Sequence, residues 1–124
     1  MDLMQDIIAR AKANKQRIVL PEGTEERTLK AADRLVADGV ADIILIGNPD
    51  EIHKLAAEFG LTHIDQTTII DPKNHEKKAA YADLLFQLRQ KKGMTPEKAA
   101  VLVEDPLFLA CLMIKAGDAD GEIA

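Results

Sequence analysis

Serine and tryptophan are absent from the 124 residues, and the sequence contains one cysteine, one tyrosine and three phenylalanines. Without serine, no mechanism that depends on a serine nucleophile can operate within these residues. The single cysteine, Cys111, cannot form an internal disulfide, which fits a reducing compartment. It lies in the most apolar segment, and neither residue next to it in the sequence is basic and able to activate its thiol. We therefore predict that Cys111 is a small core residue and not a nucleophile.

Positive charge is also scarce, because 21 acidic residues outnumber 16 basic ones and give a net charge of -5. Affinity for nucleic acid or anionic membranes rests on clustered Lys and Arg, so we expect neither partner; the local patch at Arg89, Lys91 and Lys92 is the exception. No stretch approaches the ~20 apolar residues of a membrane span. The start of the chain lacks the basic and then apolar pattern of a signal peptide. We expect a cytoplasmic location.

Strands alternate with helices in the hydrophobic pattern. Continuous apolar runs predict buried strands of a parallel sheet that is covered on both faces. Apolar residues spaced three and four apart predict helices, and polar caps, prolines and glycines mark their ends. The predicted strands are 18–20, 43–46, 67–70 and a fourth over 120–124. The predicted helices are 2–13, one that Thr24 caps and that runs to about 37 with Gly39 past its end, 48–60, 76–92, and two that begin at Thr95 and Asp105.

Two of these helices carry expectations about burial. In the helix over 76–92, four residues are expected to face inward. They are Ala80, Leu84, Leu85 and Leu88. The last helix, within "LFLACLMIKAG", is apolar nearly all round and should be central and buried.

The alternation of strands and helices predicts an α/β fold of three layers, in which helices flank a parallel sheet with right-handed crossovers. A chain of this length suits one domain. The fourth strand has nothing after it to cover it. Either it is an edge strand, or the chain is the first part of a longer one and this domain is incomplete.

Standard motifs for phosphate and metal binding are missing. Neither G-x-G-x-x-G nor G-x-x-x-x-G-K-[ST] occurs, so neither standard phosphate loop is present. His53, His63 and His75 have no partner at a spacing typical of metal ligands. We predict no metal site.

Arg27 lies where the first strand passes into its helix, and ligands of open α/β sheets bind at such junctions. If Thr24 is the cap, Arg27 is the third helical residue, where the helix dipole disfavours a cation by about 0.3–1 kcal/mol. A salt bridge with Glu22 or another acid would offset that cost. The alternative is an anion held between the guanidinium and the free N–H groups of the helix. These arguments alone favour the salt bridge.

Arg89, in "FQLRQKKGMTPEKA", has an ordinary explanation. It precedes Lys91 and Lys92 in the last turns of a long helix, where cations suit the dipole, and Gly93 then caps that helix. Without further information, the position of Arg89 favours a structural role over a functional one.

Four segments of the chain carry a family resemblance. They are "RIVLPEGTEERTLKAADRL" (17–35), "ADIILIGNPDEIHKLAAEFGL" (41–61), "LLFQLRQKKGMTPEKA" (84–99) and "DPLFLACLMIKAGDADG" (105–121). Together and in this order they resemble the amino-terminal part of the phosphate acetyltransferase family. The wider family includes phosphate butyryltransferases and a domain fused to some malic enzymes.

The resemblance implies that acetyl-CoA and phosphate are converted reversibly to acetyl phosphate and CoA, in a cleft between two α/β domains. It implies direct attack of one substrate on the other, with coenzyme A as a substrate and no metal cofactor. Arg27 stands at the family's arginine in P-E-x-x-x-x-R and Arg89 at its arginine in L-R-x-x-K-G. Both are expected to face CoA or phosphate. The family usually forms homodimers.

The resemblance also leaves out parts of the family's site. Its proposed catalytic aspartate, a neighbouring serine and further arginines would lie beyond Ala124, so we assign no catalytic residue. Glu122 stands where the family's strand is usually apolar. We predict that residues 1–124 are the amino-terminal part of a phosphate acetyltransferase and inactive by themselves. The alternative is a stand-alone, non-catalytic Rossmann-like module that binds acyl-CoA, a phosphate ligand or a partner protein.

Overall fold

The structure, a computed structural model, describes residues 15–122 as four strands and five α-helices. The strands are Gln16–Leu20 (β1), Ala41–Ile46 (β2), Thr68–Ile70 (β3) and Gly121–Glu122 (β4). The helices are Glu26–Ala37 (α1), Pro49–Glu58 (α2), Lys78–Arg89 (α3), Pro96–Leu102 (α4) and Pro106–Lys115 (α5). The helix predicted over 2–13 and the last two residues of the predicted fourth strand lie outside the described residues.

The four strands form one parallel sheet in the order β3-β2-β1-β4. In this register Ile18 of β1 pairs with Ile43 of β2 on one side and with Gly121 of β4 on the other. β4 is therefore at one edge of the described sheet and β3 at the other. The predicted α/β class is confirmed.

Side chains of successive strand residues point to opposite faces, which divides the core in two. Val19, Ile44 and Ile46 pack against α3, α4 and α5, together with buried residues such as Leu85 and Leu109. The other core lies under α1 and α2. It contains Leu20, Leu29, Ala32, Ile43, Leu45, Ile52, Ala56 and Ile64. Both faces of the sheet are covered, which explains why the strands are continuously apolar.

The helices change faces where the chain changes direction across the sheet. α1 and α2 lie on one face while the chain moves from β1 through β2 to β3. α3, α4 and α5 lie on the other face while the chain returns past β1 to β4. A constant hand for the crossovers requires this change of face.

α1 begins one residue later than predicted, because Glu25 and not Thr24 is its cap. The Glu25 carboxylate accepts the backbone N–H of Thr28 at 3.0 Å and the Thr28 hydroxyl at 3.3 Å. That first hydrogen bond is the main reason why the pKa of Glu25 is lowered. A charged cap that accepts two hydrogen bonds complements the helix dipole better than the neutral hydroxyl of Thr24 does. The predicted end is confirmed, since Gly39 follows the helix with φ of +68°.

α3 is shorter than predicted, and the set of residues that face the core differs from the predicted set. Tyr81 and Leu85 are buried with 4% and 2% exposure, and Leu84 is half-buried. Ala80 is exposed and Leu88 is 49% exposed, so the prediction for these two was wrong. The phase of the helix is set by Tyr81, whose hydroxyl donates to Asp118 and whose ring fills the core. Periodicity alone did not mark this tyrosine.

The predicted burial of α5 and Cys111 also needs correction. Leu109, Ala110, Leu112 and Met113 of α5 are buried, as expected for a central helix. Cys111, however, is exposed, and its thiol donates to the Glu122 carboxylate of β4 at 3.5 Å. A helix that packs on one face of a sheet has an outer side even where every residue on it is apolar.

Candidate functional site

The strand order reverses between β1 and β4, at the carboxyl edge of the sheet. From β1 the chain moves outward to β2 and β3, and it then returns to the other side of β1 to form β4. Ligands of open α/β sheets bind in the crevice outside the carboxyl ends of the strands at such a reversal. The fold therefore predicts a ligand site at the carboxyl ends of β1 and β4.

The loop from β1 to α1 is fixed against the end of β2. The Gly23 N–H donates to the carbonyl oxygen of Ile46 at 3.1 Å. A Cβ at position 23 would lie 2.6 Å from the same oxygen, so only glycine allows this approach. The Glu25 N–H also donates to the carbonyl oxygen of Glu22 at 3.1 Å. These contacts fix where α1 starts and thus where Arg27 lies.

Arg27 is exposed in the first turn of α1 and lines a cleft of about 440 Å³ with Leu20, Glu22 and Glu25. Among residues 15–122, no salt bridge includes Arg27, so the structure does not contain the predicted ion pair with Glu22. The set of free helical N–H groups is also smaller than predicted, because the Glu25 carboxylate accepts that of Thr28. An anion would meet the guanidinium and the N–H groups that remain.

A second cleft, of about 610 Å³, connects this loop to the start of α5. Glu22 and Thr24 line one side, and Pro106 and Leu107 line the other. Asp105 caps α5 by accepting the Leu107 N–H at 2.9 Å, as its sequence position predicts. The amino end of α5 therefore lies at the carboxyl edge of the sheet, next to the junction that holds Arg27.

Arg89 reaches the same edge from the other face of the sheet. α3 starts at the amino edge, where the Tyr81 hydroxyl donates to Asp118, and it runs in the direction of the strands. Its last residue is Arg89, whose guanidinium carbon lies 5.8 Å from the centroid of the Phe108 ring in α5. Arg27 and Arg89 thus approach one edge from opposite faces, although they line separate clefts.

Sequence reasoning missed Phe108, which contacts Arg89, and Glu25, which caps α1. A signal existed for Glu25, since an acid next to a predicted cap can itself be the cap. The contact between Phe108 and Arg89 joins residues 19 positions apart on two helices, as their numbers show. No local pattern reports such a pair.

The predicted absence of a metal site concerns His53, His63 and His75. His53 lies 3.6 Å from Asp65, and His63 lies 3.5 Å from Asp33. Within the described part of the chain, no three His, Cys, Asp or Glu side chains gather closely enough to hold a metal ion. None of the helices within residues 15–122 has both the length and the apolar character of a membrane-spanning segment.

Comparison with known proteins gives the family. The model of the phosphate acetyl/butaryl transferase family matches residues 2–124, so the chain belongs to this family. The phosphate acetyltransferase of Thermoanaerobacterium thermosaccharolyticum is 49% identical over 124 residues. That of Acetivibrio thermocellus is 43% identical over the same length. The matches cover the whole chain but only 37% and 36% of these relatives, so the chain spans little more than a third of their length.

Solved structures of the same kind share the fold. A phosphotransacetylase from Streptococcus pyogenes superimposes with a TM-score of 0.88 at 27% identity, over 98% of this chain and 37% of that one. The EutD phosphotransacetylase from Staphylococcus aureus has a TM-score of 0.85 at 29% identity, over 98% and 38%. The predicted resemblance to the amino-terminal part of the family is confirmed.

Proposed function

We propose that this chain is the amino-terminal part of a phosphate acetyltransferase, which converts acetyl-CoA and phosphate reversibly to acetyl phosphate and CoA. The relatives that match the whole chain carry this name. The activity belongs to a longer protein, of which these residues contribute one wall of the site. The observation that supports this wall most directly is the approach of Arg27 and Arg89 to one sheet edge from opposite faces.

In this proposal, the two arginines bind the phosphate groups of CoA or inorganic phosphate. A guanidinium presents a planar fork of N–H donors that matches phosphate oxygens. Glu22, Glu25 and Asp105 lie in the neighbouring clefts, so bulk positive charge does not attract the ligand there. Recognition instead depends on directed contacts from the arginines.

The proposed chemistry is direct attack on the carbonyl carbon of the acetyl group. Phosphate attacks acetyl-CoA, the C–S bond breaks and the CoA thiolate leaves; in the reverse direction the CoA thiolate attacks acetyl phosphate, the C–O bond to the phosphoryl group breaks and phosphate leaves. A thiolate is the nucleophilic form of a thiol, and fixed cations stabilise the charge that develops in such a reaction. No residue of this chain is assigned a catalytic role. The proposal needs no metal cofactor, treats coenzyme A as a substrate, and places a homodimer in the cytoplasm.

The test uses the longer protein that carries this sequence, with acetyl transfer measured at varied CoA and phosphate. A hydrogen bond to a charged group contributes about 1.5–3 kcal/mol, so Arg27→Ala should lower kcat/KM for one substrate by about 10- to 100-fold. Arg27→Lys keeps the charge without the planar fork of donors, so its kcat/KM should lie between those of the wild type and of Arg27→Ala. The matched control is Arg34→Ala, in the last turn of α1 with Asp38 at 3.8 Å. If Arg27→Ala behaves like this control, the proposed role is wrong.

The non-catalytic alternative makes a different prediction for the 124 residues alone. A self-contained module should bind CoA in calorimetry and melt cooperatively without any further chain. If it does so, and if no longer protein containing the sequence transfers acetyl groups, the alternative replaces the proposal.

A further inference from the structure

We propose that Phe108 is a positioning residue for Arg89, and that its ring holds the guanidinium in the orientation that receives a phosphate-bearing ligand. The inference rests on the proposed function, which supplies the ligand. Its basis is the distance of 5.8 Å from the Arg89 guanidinium carbon to the centroid of the Phe108 ring. At such a distance, the negative face of an aromatic ring attracts a cation.

The backbone of Arg89 is fixed independently of its side chain. Its carbonyl oxygen accepts the N–H of Met94 at 3.2 Å, and the Gly93 N–H donates to the carbonyl oxygen of Gln90 at 3.2 Å. Gly93 has φ of +87°, a conformation that lets the chain turn sharply after α3. These backbone contacts do not fix the orientation of the long Arg89 side chain.

The ring of Phe108 is an attractive group beside that side chain. Arg89 and Phe108 line a cleft of about 220 Å³ with Leu88, Cys111 and Lys115. Lys115 has the same charge as Arg89 and cannot anchor it. Within residues 15–122, no carboxylate lies within 4.0 Å of the Arg89 guanidinium nitrogens.

Stacking against a ring leaves the guanidinium free for a ligand. A guanidinium that turns its flat face to a ring keeps its N–H donors pointing outward along its edges. Those edges can donate two parallel hydrogen bonds to a phosphate. A salt bridge with a carboxylate would occupy the same edges, so an aromatic partner suits a binding arginine better than an acidic one does.

The first measurement uses the whole 124-residue chain without ligand. Nuclear magnetic resonance follows the side-chain Nε–H signal of Arg89, which is identified by its loss in Arg89→Lys. The ring current of Phe108 should shift this signal upfield from the position of a free arginine. Phe108→Tyr keeps the ring and should keep the shift. Phe108→Leu and Phe108→Met keep the apolar volume and should abolish it.

A matched control exists on the other face of the sheet. There the Lys30 ammonium lies 5.5 Å from the centroid of the Phe59 ring, and Phe59 is half-buried like Phe108. Phe59→Leu removes a ring from a similar pair that lies outside the proposed site. It should leave the Arg89 signal and ligand binding unchanged.

The second measurement uses the longer protein that carries this sequence and determines the dissociation constant of CoA, with inorganic phosphate titrated separately. Exposed cation–ring pairs contribute enough to predict about two- to fivefold weaker binding for Phe108→Leu, with wild-type binding restored in Phe108→Tyr. An Arg89 signal at the free-arginine position in the wild type overturns the inference. The inference is also overturned if Phe108→Leu binds CoA and phosphate like the wild type while Arg89→Ala binds them more weakly. That result would not contradict the proposed function. If Arg89→Ala binds both ligands like the wild type, the ligand-binding role of Arg89 fails, and the inference fails with it.

Discussion

Replacing Gly23 with Ala should destabilise the chain, because the added Cβ would lie 2.6 Å from the carbonyl oxygen of Ile46 and 3.2 Å from Cδ1 of Ile52. The oxygen belongs to the backbone at the end of β2 and cannot move without disturbing the sheet. Forcing a methyl group into such a space costs about 1–3 kcal/mol. A shift of the backbone that relieves this contact would break the hydrogen bond of the residue 23 N–H, which adds about 1 kcal/mol. The reduced freedom of the unfolded chain offsets about 0.4–1 kcal/mol.

The net loss is therefore about 1–3.6 kcal/mol in the free energy of unfolding. For 124 residues, an unfolding entropy of about 260 cal/mol/K converts this loss into a fall in Tm of about 4–14 °C. Circular dichroism of the purified chain measures this fall directly.

Two other glycines are graded controls for this measurement. A Cβ at Gly47 would meet the end of the flexible Ile52 side chain at 3.1 Å, and one at Gly121 would make an ordinary contact with Ile18 at 3.5 Å. Gly47→Ala should therefore cost less than Gly23→Ala, and Gly121→Ala should melt within a few degrees of the wild type. Equal melting temperatures for the variants at 23 and 121 would refute the reasoning from close approach.

Two further predictions concern Tyr81 and Cys111. Tyr81→Phe removes the hydroxyl that donates to Asp118, and should cost about 1.5–3 kcal/mol at neutral pH in denaturant titration. That hydroxyl, followed by Lys77, lowers the pKa of Asp118. The stabilisation is present above the unfolded pKa of about 3.9 and is lost as pH falls through the lower folded value. Below about pH 4, the wild-type Tm should thus fall more steeply than that of Tyr81→Phe, and parallel curves would contradict this. Cys111→Ser should change stability by less than about 0.5 kcal/mol, because the thiol is exposed; a larger loss would restore the prediction that it is a core residue.

Most elements were predictable because their signals are local. Asn48, Thr95 and Asp105 each precede a proline and cap a helix, and each accepts a backbone N–H from the first turn. The apolar runs of β1 and β2 marked strands that are covered on both faces. These signals depend on a few neighbouring residues, which the sequence displays directly.

Features that depend on distant residues were not predictable in the same way. The exposure of Cys111, for example, follows the side on which α5 meets the sheet. Arg89 was marked only by family resemblance. Its partner Phe108 and its place at the same edge as Arg27 depend on α3 running in the direction of the strands.

The sheet order has a consequence for the way the chain is made. The second strand that pairs with β1 is β4, which follows Asp120. The hydrogen bond between Arg17 and Asp120 at this edge joins residues 103 positions apart. At a synthesis rate of about 5–20 residues per second, that side of β1 waits about 5–20 s on the ribosome for its partner. An unpaired strand is a template for pairing with other chains, and a charged side chain discourages such pairing. Arg17 supplies that charge until β4 has been synthesised. In the folded chain its guanidinium forms a salt bridge of 3.1 Å with Asp120.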